Sequence, residues 1–261
     1  GKLIAAPHIG GINKHKPKGF KFLEHGLKPI RIHIWHDWIF INLNGKAKKF
    51  EEYAKPLIKK FEDVNFNKLK YAATLDFGKI NTNWKFLIEN FIEPYHVQFV
   101  HKTTTNQPLK DHYTIVDGIC YGSGVDVKEE DNKNSSALSV SSRYLSLFPN
   151  FIIGTYYPNQ IGVYLNVPIS PVITSQKRII YTTDGKEMTK EETDITKKIW
   201  WSVHKEDHAI CERLQEGRAS PASDAGGLLS PYWEKGVQKF QKLIIQATMK
   251  SSKIMKGKKN V

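Results

Sequence analysis

Arginine is scarce in this chain. Only Arg31, Arg143, Arg178, Arg213 and Arg218 contribute to its 39 basic residues, although the formal net charge is +13. A basic surface can bind nucleic acid by releasing counterions from phosphates. Bidentate recognition of phosphates and base edges, however, favours arginine, and the lysines here are dispersed among acids rather than gathered in one stripe. The composition therefore argues against a nucleic-acid partner and reads as a solvated, lysine- and asparagine-rich surface. Cysteine is nearly absent: Cys120 and Cys211 are too few for a disulfide framework and too far apart for a CxxC metal knuckle. Both read as buried small residues in a reducing compartment. No apolar run approaches the roughly 20 residues needed to cross a bilayer, and the N-terminus lacks a signal-peptide pattern. The expectation is a soluble, cytoplasmic protein with no membrane partner.

A chain of 261 residues can bury a substantial core as one large domain or two small ones. The segment from His33 to Leu43 is β-branched and aromatic and is bounded by Pro29 and Asn44-Gly45, which predicts a strand or hairpin. Phe50, Tyr53, Leu57 and Phe61 recur at helical spacing, predicting an amphipathic helix over 50–61. A strand over 69–77 leads through the capping residues Asn81-Thr82-Asn83 into a helix whose Trp84, Leu87, Ile88 and Phe91 share one face. Further β-rich runs lie at 113–116, 151–157, 161–167 and 178–183, and 129–136 reads as a charged loop. A long helix over 186–216 then carries Ile195, Ile199, Val203, Ile210 and Leu214, and a last helix covers 233–248. Helices segregated to one side of an antiparallel sheet make an α+β fold.

The densest chemistry lies at 93–101, where Glu93, His96 and His101 fall within nine residues. Imidazole plus carboxylate is a ligand set that holds Fe(II) while leaving coordination positions open. On a regular helix, five positions turn about 500°, so His96 and His101 would point about 140° apart. Pro94 weakens that objection by disturbing the helix just before His96. A third ligand must come from elsewhere, and Asp207 sits between Val203 and Ile210 on the expected buried stripe of the long helix. An unpaired carboxylate there would be costly, and a metal would stabilise it. Spacing leaves alternatives open. His204 and His208, at i,i+4, are an equally plausible pair of the kind found on zinc helices. Asp207 would serve as an ion-pair partner of Arg213 or Lys205, and Glu93 as a helix-surface acid.

Taken together, Asn-Trp-Lys, Glu-Asn and Glu-x-Tyr-His-x4-His over 83–101, followed by Glu-Asp-x3-Cys-Glu-x2-Gln-x-Gly over 206–217, resemble the catalytic domain of Rieske-type non-haem iron oxygenase α subunits. The resemblance implies a helix-grip, START-like catalytic domain over 48–250, preceded at 1–47 by a β-rich remnant of a Rieske domain and followed by a disordered basic tail at 251–261. It implies that His96, His101 and Asp207 bind a mononuclear Fe(II), and that His204 and His208 do not. It also implies that Glu93, where aspartate is commoner in the family, bridges electrons from a cluster histidine of a neighbouring subunit.

The family's [2Fe-2S] cluster is held by Cys-x-His and Cys-x2-His motifs, and neither occurs in this sequence. The histidines at 8, 15, 25, 33 and 36 lack cysteine partners and are not cluster ligands. With its first residue a glycine, the chain is expected to lack an upstream cluster-bearing part and to be inactive alone. The implied partners are O2, a small-molecule substrate, a ferredoxin or flavin reductase, and two further copies in a homotrimer. The implied substrate is an aromatic ring or a quaternary amine, the latter suggesting an aromatic cage drawn from Tyr144, Phe148, Tyr156, Tyr157 and Tyr164. The alternative is a non-catalytic helix-grip protein that binds a small ligand.

Overall fold

The structure, a computed structural model, describes every residue except 106, 127–141, 157–158 and 259–261, with the backbone alone for 251–258. The chain forms two compact units, Gly1–Tyr53 and Ala54–Val261. Their boundary lies six residues beyond position 47.

In the first unit, β1 (Arg31–Trp35) and β2 (Trp38–Asn42) form the expected antiparallel hairpin. Its period-two alternation sorts side chains to two faces. His33 stacks on Phe50 of the short helix α1 (Phe50–Tyr53) and Phe40 packs on it at a tilt, each at a ring separation of 4.4 Å. Ile32 faces Ile41 and Ile34 faces Ile39 across the ladder, and all four are more than 60% exposed.

The second unit begins with α2 (Lys55–Lys59). The single helix expected over 50–61 is thus broken at Ala54, because Pro56 suits a helix's first turn but not its interior. A seven-stranded antiparallel sheet follows, made of β3 (Lys70–Ile80), β4 (His112–Asp117), β5 (Cys120–Val125), β6 (Ser142–Leu147), β7 (Phe151–Tyr156), β8 (Gln160–Ser170) and β9 (Ile173–Thr182). Strands β4 to β9 meander in sequence order, and β3 closes the far edge by pairing with β9. Neither β5 nor β6 is evident from hydropathy. Cys120-Tyr121-Gly122-Ser123-Gly124-Val125 is buried throughout, and its glycines answer to close packing. A Cβ would lie 1.9 Å from the Tyr144 carbonyl oxygen at Gly122, and 2.5 Å from the Tyr113 ring at Gly124.

The helices α3 (Trp84–Ile92), α5 (Lys190–Arg218) and α6 (Lys235–Lys258) lie together, α3 contacting both others as well as β5, β6 and β8. Ile88 and Ile92 of α3 join Tyr121, Ile152, Tyr164, Val237 and Phe240 in one core cluster. Trp200 and Val203 of α5 join Ala73, Leu75, Tyr156 and Ile180 in another. The helix α5 starts at a complete capping box, with Thr189 and Glu192 each satisfying the other's backbone N–H. Its buried stripe runs Thr196, Trp200, Val203, His204 and Cys211. Leu214, expected on that stripe, is 47% exposed. Cys120 and Cys211 are buried free thiols, and burial pushes the Cys120 pKa up to about 12. The backbone of α6 is helical through Lys258, past the limit at 250 expected for the catalytic domain. Among the described residues, no helix is long and apolar enough to cross a membrane.

Candidate metal centre

The chain between α3 and β4 builds one side of the site. Asn83 caps α3 by accepting from the Lys85 N–H at 3.0 Å. The helix stops at Ile92 because the residue before a proline is driven out of the helical region, and Glu93 is accordingly extended at φ −109°, ψ 139°. His96 then begins, and His101 ends, the single turn α4 (Val97–Val100). The two histidines therefore flank a turn instead of lying along one helix, which removes the angular objection to a five-residue spacing.

From the opposite side α5 presents Asp207. Its Oδ1 lies 3.1 Å from His101 Nε2 and 3.6 Å from His96 Nε2. The three ligand-type atoms lie within 4.8 Å of one another, and the side chains are only 6% exposed for His101 and 14% for His96 and Asp207. Burial opposes the charge on each group, yet the paired charges prevail. Asp207 and Glu206 push the His101 pKa up to about 9, and His101 with His96 holds the Asp207 carboxyl well below the usual carboxylate range.

Each candidate ligand is oriented by a further group. His96 Nδ1 bonds Glu93 Oε1 at 2.7 Å, and Glu93 Oε2 also accepts from the Tyr95 and His96 backbone N–H groups. His101 Nδ1 bonds Glu206 Oε2 at 2.8 Å. Asn90 donates its Nδ2 to Asp207 Oδ1 at 2.8 Å. With Nδ1 of both imidazoles engaged by carboxylates, both Nε2 atoms are turned toward Asp207 and are free to act as donors to a metal. Sequence reasoning missed Glu206 and Asn90 as contributors, although both stand in the motifs, beside Asp207 and one turn before Glu93.

The rival readings of the same residues find other outcomes. His204 Nε2 accepts from Arg178 Nη1 at 3.2 Å, whereas His208 Nε2 bonds Gln176 Oε1 at 2.7 Å. The two imidazoles thus serve different partners. Among the ion pairs of the described residues, Asp207 meets histidines and neither Arg213 nor Lys205.

A cavity of about 900 Å³, its open mouth included, adjoins the three residues and is lined further by Tyr144, Tyr156, Tyr164 and Trp200. Of the expected cage residues, Phe148 packs against the Ile88–Phe240 core cluster instead, and Tyr157 lies outside the described residues. Three polar atoms of the lining, Thr105 Oγ1, His112 Nε2 and Asn166 Nδ2, are buried with no hydrogen-bond partner among the described residues.

Residues 58–249 match the family of the ring hydroxylating alpha subunit (catalytic domain). The chain belongs to this family of Rieske non-haem iron oxygenases. It is 26% identical over 223 residues to a chloroplastic choline monooxygenase of Atriplex hortensis, covering 83% of this chain and 50% of that protein. A shorter stretch of 94 residues is 34% identical to the large oxygenase component of a Ralstonia salicylate 5-hydroxylase, covering 35% of this chain and 22% of that one. A crystal structure of the quaternary ammonium Rieske monooxygenase CntA with an inhibitor shares the fold. Its TM-score is 0.72 at 18% identity, over 88% of this chain and 64% of that one. The chain spans about half the length of the choline monooxygenases it matches.

The family uses a mononuclear Fe(II) at its catalytic site and a Rieske [2Fe-2S] cluster in the full-length protein. The donor set fits the iron: two neutral-capable imidazole nitrogens and one carboxylate oxygen, buried and converging, match the 2-His-1-carboxylate pattern of non-haem Fe(II). No residue of this chain supplies the cysteine-histidine set of the cluster.

Proposed function

We propose that this chain is the catalytic part of an oxygenase α subunit, in which His96, His101 and Asp207 hold Fe(II) beside a cavity that takes a small organic substrate. The convergence of those three side chains from two separate elements, within 4.8 Å, carries the reading. When bound, the iron supplies reductive activation of dioxygen for hydroxylation. The protein's own groups do the positioning. Glu93 and Glu206 hold the Nδ1 proton of His96 and His101, so that each imidazole offers Nε2, and Asn90 fixes the Asp207 carboxylate.

The Glu93–His96 bond also supports Glu93 as an electron bridge from the cluster of a neighbouring subunit in a trimer, with a ferredoxin or flavin reductase as the ultimate donor. The four exposed isoleucines of the β1–β2 hairpin support the reading of residues 1–47 as part of a larger β-rich module, since such a face is normally covered. The names of the relatives bring two substrate classes into play, a quaternary amine and an aromatic acid.

Anaerobic purification with Fe(II), followed by metal analysis, tests the assignment. The expected result is one iron per chain, lost in both His96→Ala and Asp207→Ala. Retention of iron by either variant at the parent's level rejects this ligand set. Failure of the parent chain to hold iron favours a non-catalytic ligand-binding protein.

A further inference from the structure

The aromatic walls of the cavity invite a cationic substrate, because the faces of Tyr and Trp attract ammonium groups. Those rings already have a cation of the protein's own. Arg178, on β9, is fully buried. Its guanidinium carbon lies 3.3 Å from the centroid of a Trp200 ring, 4.5 Å from that of Tyr156 and 5.1 Å from that of Tyr164. All three rings line the cavity. The Arg178 Nη1 reaches the Tyr164 hydroxyl and His204 Nε2, and both of these residues also line the cavity. No carboxylate pairs with Arg178 among the ion pairs of the described residues. Its Nε and Nη2 have no hydrogen-bond partner at all among those residues.

We infer that Arg178, seated against the aromatic walls from within the protein, offsets their attraction for a cation, so that this cavity selects an uncharged or carboxylate-bearing substrate against a quaternary ammonium one. Two physical reasons meet here. A trimethylammonium group entering the cavity would meet rings already in contact with a guanidinium, which weakens their pull on a second cation, and would lie near an unpaired positive charge with little water to screen it. The hydrogen-bonding groups left open call for an oxygen-bearing part of the substrate. Gln176 Nε2 donates to Asn166 Oδ1 at 2.8 Å, which leaves Asn166 Nδ2 as an unmet donor on the cavity wall. A trimethylammonium group itself offers that donor no acceptor, whereas a carboxylate, carbonyl or hydroxyl oxygen does. His112 donates Nδ1–H to the Pro108 carbonyl at 3.0 Å, so its open Nε2 is an acceptor suited to a substrate hydroxyl. The inference rests on the oxygenase reading only in taking this cavity as the substrate's.

Choline and its uncharged isostere 3,3-dimethylbutan-1-ol differ in the central charge and hardly in shape, so their affinities isolate the effect. Titrations of the whole chain followed by calorimetry and by tryptophan fluorescence, to which Trp200 contributes, are expected to show the alcohol binding at least about tenfold more tightly than choline. Arg178→Lys, which keeps the charge, is expected to preserve the order, and Arg178→Met, which removes the cation from the rings, to shift the ratio about tenfold or more toward choline. If Arg178→Met does not fold, the parent and Arg178→Lys decide alone. Equal or tighter binding of choline by the parent overturns the inference, as does binding of neither compound. Iron content measured on the same samples keeps the two questions apart. A chain that holds iron and prefers choline sinks the substrate inference while the oxygenase reading stands, and a chain that holds no iron sinks the latter whatever the ligand order.

Discussion

Glu206 holds the imidazole of His101 by a hydrogen bond of 2.8 Å to Nδ1, and its carboxylate is itself gripped by the Thr104 hydroxyl. Replacing it leaves His101 able to rotate or to take the other tautomer, which presents an N–H in place of a lone pair. Partners of this kind typically contribute 10- to 100-fold to metal affinity. The Glu206 side chain is 26% exposed, so solvent screens part of its charge and the lower end of that range applies. Glu206→Gln, which keeps a neutral acceptor, is expected to weaken Fe(II) binding about tenfold, near 1.4 kcal/mol, and Glu206→Ala somewhat more. Anaerobic competition against a chromogenic Fe(II) chelator measures this directly. A double-mutant cycle with His101→Ala then asks whether the effect passes through His101. If Glu206→Ala binds iron within twofold of the parent, or if its loss is as large in the His101→Ala background, the positioning argument is wrong.

Two other outcomes follow from the fold. Thr189→Ala removes the N-cap of the 29-residue α5 that carries Asp207; the expected loss is about 1 kcal/mol in urea unfolding, and an unchanged midpoint would show the cap to be idle. Burial holds the His112 pKa below its ordinary value of 6.5, and burial together with the Arg178 charge holds that of His204 well below it. The unfolded chain therefore takes up protons that the folded chain resists, so the stability is present above pH 6.5 and is lost as pH falls below it, by up to about 1.4 kcal/mol per pH unit for each histidine. Unfolding midpoints at pH 7 and 5.5 measure the slope, which His112→Gln is expected to reduce. Equal slopes in parent and variant would refute the assignment to His112.

Much of the architecture is legible from local pattern. The hairpin, the helix at 84–92, its end near Pro94 and the long helix bearing Asp207 all follow from periodicity, capping residues and proline sterics, which act over a few neighbours. The strands β5 and β6 are not legible in the same way. Gly122 and Gly124 carry no hydropathy signal, and their need to be glycine arises only from the Tyr144 backbone and the Tyr113 ring across the sheet. Leu214 has the periodicity of the buried stripe and yet is about half exposed, since periodicity marks a face of the helix and not how far along it the packing extends.

The candidate ligands divide likewise. The sequence by itself determined the candidates for the chemistry, Glu93, His96, His101 and Asp207, since they stand in two short motifs and their residue types limit what they can bind; it gave no sign of the parts taken by Glu206 and Asn90. Only the tertiary structure decided how they meet. Partners more than 100 positions apart approach because α3 and α5 pack together on one unit, and the one-turn α4 sends two histidines to a common point. It also decided what stands behind the cavity. Tyr156, Tyr164 and Trp200 look like an open cage in one dimension, and only three-dimensional packing brings the Arg178 guanidinium to 3.3 Å from a Trp200 ring centroid. Long-range contacts of this kind carry no periodic trace, because each depends on the summed geometry of the strands between.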